Sequence, residues 1–362
     1  MELASVAWQG RSPGGWINGR GWDLRWLVGS ALVVPLVLLV VKAGASNDLV
    51  NLGVTALIGG PHLFSTYTAT YLDPRFRRSH WLVLVLAALI VPAFVVYWAI
   101  HDYEILISTF LFMASLHVLQ QNAYLSDVYR LRLGRAEPRW SRWLDYGLLM
   151  TSIYPLAAYK LVRGEFTLGH TRILIPQFLL VPATYYAVFG VFFALLAAWL
   201  LKTALETRRG VLNRPKTLLI AVTTFVAFVV PMAEQGGKLE LAFQGVNAWH
   251  SIQYLGLVWL IQSVRSQQGF VASPAIRWMA APGKPWRFWG GCFAVTSAVL
   301  AGVAGLSHLD PWHLRFQQYY AMFVLSPLLI HYVVDGYIFA TALGRRATAD
   351  TMPYVVPATV RS

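Results

Sequence analysis

The sequence predicts an all-α protein: a polytopic bundle of about ten transmembrane helices with both termini in the cytoplasm. Of its 362 residues, 57% are hydrophobic and only 12% are charged. A water-soluble fold cannot bury so large an apolar fraction, so the composition indicates a membrane protein. Long uncharged runs such as residues 81–100 approach the roughly 20 residues that cross a ~30 Å hydrocarbon core.

Ten segments are apolar enough to be predicted as spans. In chain order they lie near residues 26–44, 48–72, 81–101, 104–127, 143–162, 175–201, 218–236, 240–263, 288–307 and 318–343. They form one membrane domain, 26–343, preceded by an interfacial or cytoplasmic arm, 1–25, and followed by a cytoplasmic tail, 344–362. The arm has no compact apolar stretch ending in a cleavage site, so we predict no cleaved signal peptide.

The distribution of basic residues predicts the orientation. Most of the 29 Lys and Arg residues fall in the arm, the tail and alternate loops. Positive loops stay in the cytoplasm, so both termini are predicted to be cytoplasmic and the number of spans even. We expect a bacterial inner membrane. The net charge of +13 follows from this asymmetry and indicates no nucleic-acid partner.

Four of the nine histidines lie inside apolar spans: His62, His117, His250 and His331. All four are on even-numbered spans at similar distances from the outer end. At 1.5 Å per residue their depths differ by only about 6 Å, so four imidazoles are predicted to share one layer of the membrane. The other histidines fall in loops or at interfaces, where an imidazole is easily solvated: His80, His101, His170, His308 and His313.

Polar residues accompany each of these four histidines one helical turn away on the same helix face. They are Thr66, Gln121, Gln253, Tyr254 and Asp335. A polar stripe in hydrocarbon must face the bundle interior, so the four stripes are predicted to meet. We expect Asp335, Gln121 and Gln253 to be catalytic residues that orient the histidines or relay protons.

The histidine layer predicts a metal centre. Neutral imidazole is the commonest metal ligand, and nitrogen donors suit iron, copper or zinc. Because Cys292 is the only cysteine, thiolate zinc sites and iron–sulfur clusters are excluded. We predict one non-haem iron on the four histidines with dioxygen as co-substrate. Zinc would instead favour hydrolysis with Asp335 or Glu234 as the base, and helix-to-helix hydrogen bonding without metal is the remaining interpretation.

The segment Gly60-Pro61-His62, with four single intramembrane histidines at one depth, resembles the bacterial Brp/Blh family of membrane β-carotene dioxygenases. The resemblance implies a polytopic fold in which four histidines hold one iron. After His62 this chain has LFSTYT instead of that family's pattern of Gly, Asp and His. His250 and His331 lie on different spans, whereas the family's last two histidines are close together. The resemblance thus implies an architecture and a reaction class but no substrate.

Three function classes follow from these observations. The first is a membrane oxidoreductase or oxygenase acting on a lipid-like or isoprenoid substrate, with the bilayer and an electron donor as further partners. The second is a proton-coupled transporter, in which histidines and Asp335 form a relay and prolines mark broken helices. The third is a haem-binding electron-transfer subunit.

Overall fold

Helices account for most of the described chain and strands for only four residues of it, which confirms the all-α prediction. The computed structural model describes residues 13–135, 137–168, 171–233 and 239–341. Most of the predicted arm, the whole predicted tail, His170 and Glu234 lie outside these ranges. The helices are α1 (Arg20–Lys42), α2 (Asn47–Val54), α3 (Gly60–Ala69), α4 (Pro74–Ser79), α5 (Trp81–His101), α6 (Tyr103–Leu133), α7 (Arg139–Thr151), α8 (Tyr154–Val162), α9 (Pro182–Arg208), α10 (Arg214–Met232), α11 (Leu239–Gln267), α12 (Pro274–Met279), α13 (Pro285–Leu309) and α14 (Phe316–Thr341). Strands β1 (Thr167–Leu168) and β2 (Thr171–Arg172) pair antiparallel.

Seven of the described helices are long and apolar enough to cross a bilayer: α1, α5, α6, α9, α10, α13 and α14. The chain is therefore a multi-pass membrane protein. The other three predicted spans coincide with α2 and α3, with α7 and α8, and with α11. The second of these is broken between Thr151 and Tyr154, and Pro155 lies in the first turn of the next helix. The total of ten spans stays a prediction.

The described chain divides into two compact units. The first contains residues 51–117 and 251–341, and the second contains 13–50 and 118–250. Helices α6 and α11 each begin in one unit and end in the other. Neither unit is a continuous stretch of chain, so sequence-distant helices complete each of them.

In the first unit, α3 packs closely on α13 and also contacts α14. A Cβ added at Gly60 would stand 2.1 Å from Cγ2 of Thr296, so only glycine permits this approach. Helix α4 begins at a cap in which Oδ1 of Asp73 accepts from the Arg75 amide at 2.9 Å. The other oxygen of Asp73 accepts from Arg265 at 2.7 Å, which ties this cap to α11.

The second unit packs α9 against α7 and α8, with α10 beside α7. Its apolar core includes Leu149, Phe192, Trp199 and Ile220. Buried Asp23 holds the beginning of α1 against α6, because its carboxylate accepts hydrogen bonds from the Ile17 amide and from the Tyr129 hydroxyl. Large apolar side chains remain exposed along α9, as expected of a surface that faces lipid rather than water.

Candidate metal centre

Three of the four predicted histidines converge in the first unit. His62 lies on α3, His117 on α6 and His331 on α14, and none is more than 2% exposed. One ring nitrogen of each lies within 4.8 Å of a ring nitrogen of the other two. Three separate helices therefore bring three imidazoles to one buried point, as the common depth of the histidines predicts.

The rings are in direct contact. Nε2 of His331 lies 2.9 Å from Nε2 of His62, and the two ring planes are nearly perpendicular with centroids 4.5 Å apart. The His117 ring lies 4.6 Å from that of His331 and 6.0 Å from that of His62. Two facing nitrogen atoms at this separation share either a proton or a cation, because two lone pairs would repel each other.

The opposite nitrogen of His331 faces oxygen donors and acceptors. Nδ1 lies 2.7 Å from the hydroxyl of Thr66 and 3.4 Å from Oδ2 of Asp335. Asp335 is fully buried and lies one helical turn after His331 on α14. A carboxylate behind a histidine holds the proton on Nδ1 and turns Nε2 toward a metal, which is the usual outer-shell arrangement of metal-binding histidines.

Prolines shape the helices that carry two of these histidines. A wide π-helical turn at Thr55–Gly59 precedes Pro61 and His62, and another at Ala321–Leu325 precedes Pro327 and His331. Proline has no N–H for the i→i−4 bond and its ring crowds the preceding turn, so the helix widens there. Such π turns occur often at functional sites.

The other predicted site residues lie on α6 and α11. His250 is 1% exposed and belongs to the second unit, where the side-chain amide of Gln121 donates to its backbone carbonyl at 3.3 Å. Gln253 is fully buried on α11 in the first unit. The roles of His250 as a ligand and of Gln121 and Gln253 as catalytic residues stay predictions. Thr66 and Tyr254 contact each other directly, which the sequence does not indicate: their hydroxyls form a hydrogen bond of 2.6 Å.

A second polar cluster lies in the second unit. Its centre is Asp145 on α7, which is fully buried. Oδ1 of Asp145 accepts from the Trp199 indole and from Nζ of Lys202, both at 3.1 Å. Oδ2 is 2.9 Å from Nζ of Lys216 and also bonds Arg130. Four helices thus meet at one carboxylate.

Further carboxylates balance the remaining basic groups of this cluster. Asp127 accepts from Arg130 at 2.5 Å and from Arg142 at 2.6 Å. Glu137, in the segment between α6 and α7, accepts from Lys216 at 2.5 Å and from Arg130 at 3.0 Å. Glu206, 3.3 Å from Nζ of Lys202, brings the carboxylates to four, against four basic side chains. With the charges matched, the cluster is a structural clamp rather than a site for a charged ligand.

Charge neighbours also set the ionisation of Glu137, which lies outside the membrane-spanning helices. Burial raises the pKa of this carboxyl, but the positive charges of Lys216 and Arg130 outweigh burial and hold the pKa below its ordinary value of 4.5. Glu137 is therefore ionised at neutral pH and contributes stability through its charge.

Comparison with protein-family models, with curated proteins and with solved structures returns no match. The resemblance to the Brp/Blh family stays a prediction that rests on the quoted residues alone.

Proposed function

We propose that this protein is an integral membrane oxidoreductase whose metal, a non-haem iron, is held by His62, His117 and His331. The observation that carries the proposal is the convergence of three buried imidazoles from three helices, one of them backed by a carboxylate. His250 is the fourth ligand that the sequence predicts.

The donor set fits such a metal. Three neutral imidazoles suit iron, copper or zinc. Among the described residues, the three possible ligands that converge are all histidines, without a thiolate or a carboxylate among them. Iron with positions left open by the protein would supply oxidising chemistry with dioxygen. Metal analysis would distinguish this iron centre from a zinc centre, which would favour hydrolysis.

The side chains around the three histidines orient the imidazoles and exclude water. Asp335 lies behind His331, 3.4 Å from Nδ1, where it favours a proton on that nitrogen, while the apolar helices around the site keep bulk water away. Tyr332 stacks on the His117 ring at 4.6 Å and fixes its plane. Because two of the three histidines lie on α6 and α14, which are long and apolar enough to span a membrane, the proposed substrate is hydrophobic, such as an isoprenoid, a carotenoid or a fatty acyl chain.

The test is metal analysis with an absorption spectrum on detergent-purified protein. We expect about one iron per chain, lost in His117→Ala and retained in His308→Ala, which changes an exposed histidine of α13. Both variants should elute as folded protein from size exclusion. Equal metal content in the two variants would refute the assignment of the ligands, and zinc in place of iron would redirect the search to hydrolysis. His250→Ala in the same assay tests the fourth ligand.

A proton-coupled transporter is the second candidate, and one observation favours it. Tyr254, Thr66, Asp335 and His331 form a buried chain of hydrogen-bonding groups, which is what a proton relay requires. A protein that binds no metal and moves protons across proteoliposomes would favour this function. A haem subunit fits less well, because the His62 and His331 rings touch where a porphyrin would have to pass, and a Soret band decides the matter.

We further propose ten spans with both termini cytoplasmic, in a bacterial inner membrane. The supporting observation is the sequence distribution of basic residues. Arg209 and Arg172 are exposed positions on predicted inner and outer loops. An impermeant thiol reagent added to intact cells should label Arg172→Cys and spare Arg209→Cys, and the reverse pattern would invert the topology.

A further inference from the structure

We infer that Thr66 is the positioning residue of the histidine centre, and that its hydroxyl joins Tyr254 and Asp335 to His331 so that Nδ1 of His331 carries the proton. The inference rests on the proposed metal function of the same histidines. It goes further in naming the group that decides which nitrogen of His331 faces the metal.

The hydroxyl of Thr66 is the hub of the contacts behind His331. It lies 2.6 Å from the Tyr254 hydroxyl and 2.7 Å from Nδ1 of His331. The two oxygens of Asp335 are 3.3 and 3.5 Å away. Thr66 is 1% exposed, so these bonds form in a low-dielectric interior where a hydrogen bond is strong.

The hydrogen-bonding capacity of a hydroxyl orders these contacts. Thr66 can donate one hydrogen bond and accept two, and its donor is directed at Asp335, whose two oxygens lie 3.3 and 3.5 Å away. All four groups are satisfied when Tyr254 and Nδ1 of His331 donate to Thr66, and Thr66 donates to Asp335. In this arrangement Nε2 of His331 keeps its lone pair, and that nitrogen is the one that faces His62.

Asp335 alone would orient His331 less firmly. Its nearer oxygen is 3.4 Å from Nδ1, compared with 2.7 Å for the Thr66 hydroxyl, so the threonine makes the closer bond. Thr66 also lies one turn after His62 on α3, and the Tyr254 ring meets the His62 ring edge-on at 4.5 Å. The threonine–tyrosine pair therefore fixes two of the three imidazoles together.

Thr70 supplies a matched control. It directly follows α3, four residues after Thr66, is fully buried, and its hydroxyl donates to the backbone carbonyl of Thr66 at 2.8 Å. Threonine to valine keeps the shape of the side chain and removes the hydroxyl. The same substitution at the two positions thus separates loss of a buried hydroxyl in general from loss of the bond to His331.

The experiment measures Co²⁺ affinity by chelator competition on the metal-depleted full chain in detergent. Thr66→Val should weaken binding by about 10- to 100-fold, the range for outer-shell groups. Thr66→Ser, which keeps the hydroxyl, should stay within about threefold of the wild type, and Thr70→Val should bind as the wild type does. In the Co²⁺ form, the paramagnetically shifted, water-exchangeable N–H signal of His331 should be altered in Thr66→Val and kept in Thr66→Ser.

The outcomes separate this inference from the proposed function. Wild-type affinity in Thr66→Val, or an equal loss in Thr66→Ser or Thr70→Val, would overturn the positioning role and leave the metal centre standing. A wild-type protein that binds Co²⁺ no better than His117→Ala would overturn the proposed function itself.

Discussion

We predict that Asp145→Asn, in the second unit, lowers the free energy of unfolding. The change keeps the size of the side chain and removes its negative charge, while Lys202 and Lys216 stay 3% and 0% exposed beside it. Breaking a buried ion pair by removing one partner costs about 3–5 kcal/mol, because the remaining charge is left in a poor solvent. We expect a loss of free energy of unfolding of about that size.

The assay is unfolding of purified protein by SDS titration in mixed micelles, read by tryptophan fluorescence. Arg163→Gln is the control, since Arg163 pairs with Glu165 while the two side chains are 54% and 44% exposed, and its removal should have little effect. If the cost arises from the stranded charge, Asp145→Asn combined with Lys216→Met should be less unstable than the sum of the two single variants. Equal stability of Asp145→Asn and Arg163→Gln would refute the reasoning.

Two further predictions concern stability. The pKa of Glu137 is lowered in the folded protein, so its contribution is present above its ordinary value of 4.5 and is lost as the pH falls through the lower, folded value. Glu137→Gln should therefore destabilise the protein at pH 7, and the difference from the wild type should shrink below pH 4.5; a difference that grows on acidification would contradict this sign. Gly60→Ala should lower the free energy of unfolding by about 1–3 kcal/mol through overpacking against Thr296, and the thermal midpoint should fall with it. Gly53→Ala, where a Cβ meets nothing within 4 Å, should leave the midpoint unchanged. Thermal unfolding of both variants in detergent checks this, and an unchanged midpoint in Gly60→Ala would show that α3 and α13 can separate at no cost.

The membrane class and the histidine convergence could be predicted from sequence because both depend on one-dimensional properties. Hydropathy identifies a span without knowledge of its neighbours, and the depth of His62, His117 and His331 follows from counting residues from the helix ends. Where hydropathy was diluted by polar residues, as in α7 and α8, a predicted span corresponds to two helices separated at Ser152 and Ile153.

The pairings between helices could not be predicted in the same way. Lys202 and Asp145 are 57 residues apart, and Thr66 and Tyr254 are 188 apart. Helix periodicity shows only that each of these residues lies on a polar face, and several faces compete as partners. The charge cluster around Asp145 therefore cannot be predicted from helix periodicity, although a lysine buried in an otherwise apolar helix indicates that a carboxylate lies nearby.

The first unit combines two segments that are far apart in the sequence, so its helices are synthesised at different times. His331 is made 269 residues after His62. At about 5–20 residues per second, translation separates the two by roughly 13–54 s. During that interval α3 carries an imidazole and several hydroxyls without the helix that will enclose them, and polar groups are costly in hydrocarbon. The polar face of α3 therefore lacks its contacts with α14 for that interval, and, on the proposed function, all three histidines can hold a metal only after α14 has been made.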